Sequence, residues 1–176
     1  MNIQHSSRTD EWYTPLDTIL RARQALGGIN FDPASSAVAN ARIGATYFYT
    51  KEIDALKTPW PANLGSVFLN PPGGKLRNRS LTELFWQRLL EHQDRFDAAI
   101  FLAFSLEAAQ STQRDGKGGV MRFPFCIPRK RIAFDKPDGT PGPAPSHSNV
   151  IVYVPGRVNH TDKFVGAFNT LGMVRA

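Results

Sequence analysis

Cysteine is nearly absent from this 176-residue chain: Cys126 is the only one, which excludes a disulfide framework and a thiolate metal cluster. No apolar run approaches the roughly 20 residues of a membrane span. The opening residues, Met1 to Asp10, are polar and lack the apolar core of a signal peptide. The expectation is a cytoplasmic protein with no membrane contact. Histidine is scarce as well. His5, His92, His147 and His160 show neither i,i+4 nor short metal-ligand spacing, so no metal is expected. Ser105 and His147 are the residue types of a nucleophile and its base, but no G-x-S-x-G elbow surrounds Ser105. Gly73-Gly74-Lys75 is not preceded by the residues of a phosphate-cradling loop, and no G-x-G follows Asp32, so that strand end is not a standard dinucleotide fingerprint. Hydrolase and nucleoside-triphosphatase readings fall away.

What is present is a folded-protein composition, 41% hydrophobic and 11% aromatic, in a length that suits one domain with a real core. Twenty-one Lys and Arg against fifteen Asp and Glu leave a net charge of +6. An excess of that sign favours a polyanionic partner, nucleic acid first. No internal repeats occur.

In chain order, residues 1–10 read as a flexible polar arm. Thr14 before Pro15 predicts a helix start, with the hydroxyl as cap and proline in the first helical position. Leu16, Ile19, Leu20 and Leu26 fall on one face, and Gly27-Gly28 stops the helix. Ile29 to Phe31 reads as a short strand ended by Asp32-Pro33-Ala34-Ser35-Ser36, and Thr46 to Thr50 as another. The loop Gly73 to Arg79 is basic and flexible. Ser80-x-x-Glu83 is a capping box opening a helix with Leu81, Leu84, Phe85 and Leu89 inward. Asp97 to Phe104 is the apolar run of a central strand covered on both faces. Ser105 caps a short helix over Leu106 to Gln113. Val120 to Ile127, Arg131 to Phe134 and Asn149 to Val154 read as strands. A long Pro/Gly loop spans residues 135–148. Thr161 caps a last helix with Phe164, Val165, Phe168 and Leu171 inward and Gly172 as its stop. Alternating strands and helices predict a single α/β domain, its sheet mostly parallel with an antiparallel edge and helices on both faces.

The most informative stretch is Val67-Phe68-Leu69-Asn70-Pro71-Pro72. A strand is cut off by two prolines, and Pro71 also keeps Asn70 out of the helical region. The Asn70 carboxamide is thereby held, extended, at the carboxyl edge of a sheet, where open α/β sheets bind ligands. An Asn-Pro-Pro in this place resembles the catalytic motif of the amino-methyltransferases. An exocyclic amine such as adenine N6 is a poor nucleophile because its lone pair is delocalised. Two acceptors, the Asn70 side chain and the Pro71 carbonyl, would stabilise the pyramidal nitrogen and its developing charge without any titrating group. A plain Asn-Pro turn ending a strand uses the same residues.

Taken with Trp12-Tyr13-Thr14-Pro15, Asp32-Pro33-Ala34-Ser35-Ser36, Asn40-Ala41, Tyr47 to Leu56, Trp60 and Arg131-Ile132-Ala133-Phe134, the chain resembles the phage-type DNA N6-adenine methyltransferases over most of its length. The resemblance implies a Rossmann-like methyltransferase sheet, S-adenosylmethionine as methyl donor, duplex DNA as partner and, if phage-encoded, the cytoplasm of a bacterial host. It implies that Tyr13, Thr14, Pro15, Asp32 and Ala34 border the methionine end of the cofactor, with Asp54 near its ribose or adenine. Asn70, Pro71 and Pro72 would hold the target amine. Lys75, Arg77, Arg79, Arg129, Lys130, Arg131 and His147 would face nucleic acid. The family pattern breaks twice: Gly73 stands where an aromatic residue usually stacks on the flipped base, and no glycine-rich turn follows Asp32. Losing base–aromatic stacking forfeits about 1–3 kcal/mol. Two rivals therefore stand beside DNA methylation: a protein of this fold that binds nucleic acid or cofactor without turnover, such as a phage decoy, and methylation of another planar amine or amide such as protein glutamine.

Overall fold

The computed structural model describes residues 12–103, 107–114, 116, 118–136, 138–143 and 147–176. The polar arm, Phe104, the proposed Ser105 cap and part of the 135–148 loop lie outside the described residues. The strands are β1 (Phe31–Asp32), β2 (Tyr47–Phe48), β3 (Gly65–Leu69), β4 (Lys75–Leu76), β5 (Arg79–Ser80), β6 (Phe96–Ala103), β7 (Phe125–Pro128), β8 (Val150–Pro155) and β9 (Gly172–Arg175). The helices are α1 (Leu16–Leu26), α2 (Ala37–Ile43), α3 (Leu81–Glu91), α4 (Glu107–Ser111) and α5 (Thr161–Phe168).

Seven strands form one mixed sheet in the order β2-β1-β3-β6-β8-β7-β9, and β4 with β5 makes a separate hairpin. Pairings are parallel from β2 through β6 and antiparallel from β6 to β9. Most strands run one way, as expected, but the antiparallel region takes up half the pairings rather than an edge. Side chains alternate strictly between two cores, as the two-residue period of a strand requires. Val67, Leu69, Ala99, Phe101, Val150, Val152 and Val154 pack with Phe85, Trp86 and Leu89 of α3 and Ala108 of α4. Phe68, Ala98, Ile100, Leu102, Ile151 and Tyr153 pack with Ile19, Ala22 and Ala25 of α1 and Phe164 and Phe168 of α5.

Several sequence expectations shift. Pro15, not Thr14, occupies the cap position of α1, and no side chain caps it. Thr14 is engaged elsewhere. The buried stripe of α1 is Thr18, Ile19, Ala22 and Ala25, whereas Leu16 and Leu20 are 53% and 51% exposed. The inward face of α3 is Thr82, Glu83, Phe85, Trp86 and Leu89. Its capping box does not form, because Glu83 Oε1 instead accepts from Arg79 at 2.8 Å. The basic loop after Gly74 is the β4–β5 hairpin, with both turn residues, Arg77 (φ 48°) and Asn78 (φ 64°), left-handed. That is the backbone of a two-residue type I′ hairpin. Arg131 to Phe134 is not a strand, and Val120–Arg122 is a 3₁₀ turn. His160 holds the cap position of α5 without a side-chain bond, and Gly172 opens β9. No described helix is long and apolar enough to cross a membrane.

Candidate active site

The strand order reverses between β1 and β3: β1 leads through α2 to β2 on one side, and the chain then returns to β3 on the other. A crevice opens outside the carboxyl ends of two strands at such a point. β1 brings Asp32 to it, and β3 ends at Leu69 so that Asn70 follows directly. Asn70 Nδ2 donates to Thr14 Oγ1 at 3.2 Å, a bond that ties the start of α1 to the end of β3. With the amide nitrogen held, Oδ1 is left as the free acceptor. It is buried and finds no donor among the described residues. An orphaned buried acceptor costs about 1–3 kcal/mol, a cost that a ligand N–H placed there would remove. Pro71 is buried, while Pro72 and Gly73 are exposed.

Asp32 is 1% exposed. Its Oδ1 accepts from the Ala34 N–H at 3.0 Å, and Pro33 between them fixes the turn. Burial pushes its carboxyl up to about 7, the Ala34 N–H and the nearby Ser35 hydroxyl opposing that rise. The Ser35 hydroxyl lies close but has no well-formed hydrogen bond among the described residues. Behind this turn, Phe31 stacks on Tyr47 with ring centroids 4.8 Å apart and meets Tyr49 edge-on at 5.1 Å. Tyr49 N–H donates to the Asp32 carbonyl and Ser35 N–H to the Tyr49 carbonyl, both at 2.9 Å. The Asp32–Ser35 turn is therefore locked to the chain leaving β2.

Tyr13 is buried and exchanges two backbone hydrogen bonds with Asp135, each 2.9 Å. Asp135 in turn pairs with Arg42 of α2 at 2.7 Å. Of Tyr13, Thr14 and Pro15, Thr14 is the one bonded to Asn70. Asp54 lies in the turn after β2, where it pairs with Lys57 at 2.8 Å and accepts from the Leu56 N–H at 3.1 Å. The Lys57 hydrogen bond holds its carboxyl below the usual range. Arg79 is spent on Glu83 and Gln87, whereas Lys75 and Arg77 are exposed on the hairpin. Arg129, Lys130, Arg131 and His147 are exposed.

The sequence reading missed Ser35 as a polar group of the crevice; its place two residues past a buried Asp-Pro was the available signal. Among the described residues, no group of three or more His, Cys, Asp or Glu stands together to hold a metal ion. Asp32 and Ser35 stand at the carboxyl end of β1 and Asn70 at that of its neighbour β3, so three buried or half-buried polar groups occupy adjacent strand ends. That arrangement suits a ligand rich in N–H donors or positive charge. No protein-family model matches the chain, and no curated protein matches it.

Proposed function

We propose that the protein transfers a methyl group from S-adenosylmethionine to the N6 amine of an adenine in DNA, on a Rossmann-like methyltransferase sheet, with Asn70 holding the amine. The observation that carries this reading is the Asn70 carboxamide: at the switch point, its Nδ2 is held by Thr14 and its buried Oδ1 has no donor among the described residues. A ligand N–H donating to that acceptor would satisfy it.

The chain also offers groups that fit the cofactor. The Asp32 carboxylate and Ser35 hydroxyl suit the α-ammonium of its methionine part, with Tyr13, Thr14, Pro15 and Ala34 alongside. When bound, S-adenosylmethionine supplies an electrophilic methyl whose C–S bond breaks onto sulfur as the amine nitrogen takes the carbon. Asn70 Oδ1 and the Pro71 carbonyl accept the two amine N–H bonds, favour the pyramidal nitrogen and stabilise the positive charge that grows on it. The surplus proton then leaves to water. Adenine reaches the crevice only when flipped from the duplex, because its amine is otherwise paired.

The deciding experiment is labelled methyl transfer from S-adenosylmethionine to unmethylated duplex DNA, comparing wild type with Asn70→Ala. Incorporation as N6-methyladenine in wild type, and its loss in the variant, is expected. Methyl recovered in protein and not in DNA overturns the acceptor assignment. Gly73 favours a second reading, binding without turnover: it is exposed and, among the described residues, no neighbour lies within 4 Å of the side chain it lacks, so no described aromatic stands at that position to cover a base. Cofactor binding by calorimetry with no incorporation would select that reading.

A further inference from the structure

β7 runs in the same direction as β3 and β6, because each is one antiparallel step from β8 or parallel to its neighbour. The chain leaving β7 at Pro128 therefore emerges on the same sheet edge as Asn70. β9 begins opposite Pro128, at Gly172, which brings Thr170 and Leu171 to that edge too. The start of α1 also lies there, tied by Thr14 to Asn70. Between these segments is a cleft of about 420 Å³ lined by Pro15, Thr18, Arg21, Arg129, Lys130 and Arg131, among others.

The cleft walls carry four cationic side chains and one carboxylate, Asp17. Asp17 is already engaged by Arg21 at 2.9 Å. Arg21 is further fixed by the Ala167 carbonyl at 2.7 Å and Thr170 Oγ1 at 2.8 Å, so it is a held wall rather than a mobile contact. Arg129 Nη1 donates to the Thr170 carbonyl at 3.0 Å, and its backbone N–H donates to the Leu171 carbonyl. Lys130 and Arg131 follow Arg129 and are exposed. An open cleft with a surplus of positive charge suits an anion, and one on the same edge as Asn70 suits the anionic part of the same substrate.

We infer that this cleft, between the start of α1 and the chain leaving β7, grips the phosphodiester backbone of the DNA strand whose base is presented to Asn70. The inference rests on the DNA-methylation reading and names the surface that holds that substrate. β7 lies three strands from β3, or roughly 14 Å at the ordinary strand spacing. At 3.4 Å per step, that places the gripped phosphates about four base steps from the target.

The test is fluorescence anisotropy of a short labelled DNA duplex over a salt series, with wild type, the double variant Lys130→Ala/Arg131→Ala, and Lys163→Ala. Lys163 is an exposed cation near the start of α5, toward the opposite sheet edge. The double variant is expected to flatten the slope of log K against log salt by about 2 and to weaken binding on the order of tenfold. Lys163→Ala is expected to leave both close to wild type. A wild-type slope in the double variant, equal losses in the Lys163 variant, or no DNA binding by wild type would each overturn the clamp. Cleft-dependent binding without methyl incorporation would keep the clamp and remove the methyl-transfer reading. Incorporation into DNA with an unchanged slope in the double variant would do the reverse. Thermal melts of all three proteins exclude misfolding as the cause.

Discussion

Asp32 combines full burial with a carboxyl pushed up to about 7, and the sign of its effect on stability follows. The unfolded chain releases this proton near about pH 4, whereas the folded protein keeps it until near about 7. Between those values the folded state binds more protons, so stability falls as pH rises, then levels off above the folded value. Three units of difference correspond to at most about 4 kcal/mol. Denaturant unfolding of wild type and Asp32→Asn is expected to show a wild-type decline across this window that the variant lacks. A cationic ligand works in the opposite direction, since it needs the ionised carboxylate: S-adenosylmethionine affinity should rise about tenfold per pH unit up to about 7 and then plateau, a trend calorimetry would read. Gly73 gives a second residue-specific prediction. Its surroundings are open and its φ is ordinary, so Gly73→Tyr should fold normally. If a flipped base sits over Asn70, the added ring should tighten DNA binding about tenfold to a hundredfold. An unchanged dissociation constant would mean that no base stacks there.

The β4–β5 hairpin carries a local contradiction, because arginine occupies a left-handed position at φ 48°. For a residue with a Cβ, that backbone costs on the order of 1–2 kcal/mol. The Asn-Gly pair of an ideal type I′ turn, made by Arg77→Asn/Asn78→Gly, is expected to stabilise the protein by about 1 kcal/mol in denaturant unfolding. Strained positions of this kind collect at functional sites, and this one lies in the hairpin that follows Asn70-Pro71-Pro72-Gly73-Gly74. The turn itself was hidden in the sequence, since Arg77-Asn78 is not a hairpin signature. Other elements were legible for clear reasons. β6 and β8 are apolar runs covered on both faces, and proline had to end β3. By contrast, α2 buries only Ile43 and so shows no stripe, although Ser36 caps it through Ala39 N–H and left-handed Gly44 ends it. β9 was masked because it is an edge strand with Met173 60% exposed, and its Gly172 looked like a helix stop. In α1, leucines attracted the assignment of the inward face, but small residues won it because the helix packs close to α5 and β6.

The candidate site was legible as residues and illegible as an assembly. Asn70 and Asp32 could each be placed at a strand end, yet nothing in the linear chain said that their strands are neighbours. Nor did it say that Thr14 would leave the helix cap to hold the Asn70 amide. Both follow from the strand order, which puts the reversal between β1 and β3. The Tyr13–Asp135 pairing and the Arg42–Asp135 ion pair then join α2, the chain before α1 and the loop after β7 around that reversal. A ligand seated there touches segments from both halves of the chain, so its binding energy should appear as stability of the whole molecule. At a hundred times its dissociation constant, a ligand adds about 2.7 kcal/mol, which for a chain of this size raises Tm by about 5–10 °C. S-adenosylmethionine is expected to produce that shift in wild type and to retain most of it in Asn70→Ala, because Asn70 serves the acceptor. The shift should largely disappear in Asp32→Ala, which removes the carboxylate from the crevice. An equal shift in all three proteins would place the cofactor away from the switch point, and no shift in wild type would remove the cofactor from the proposal altogether.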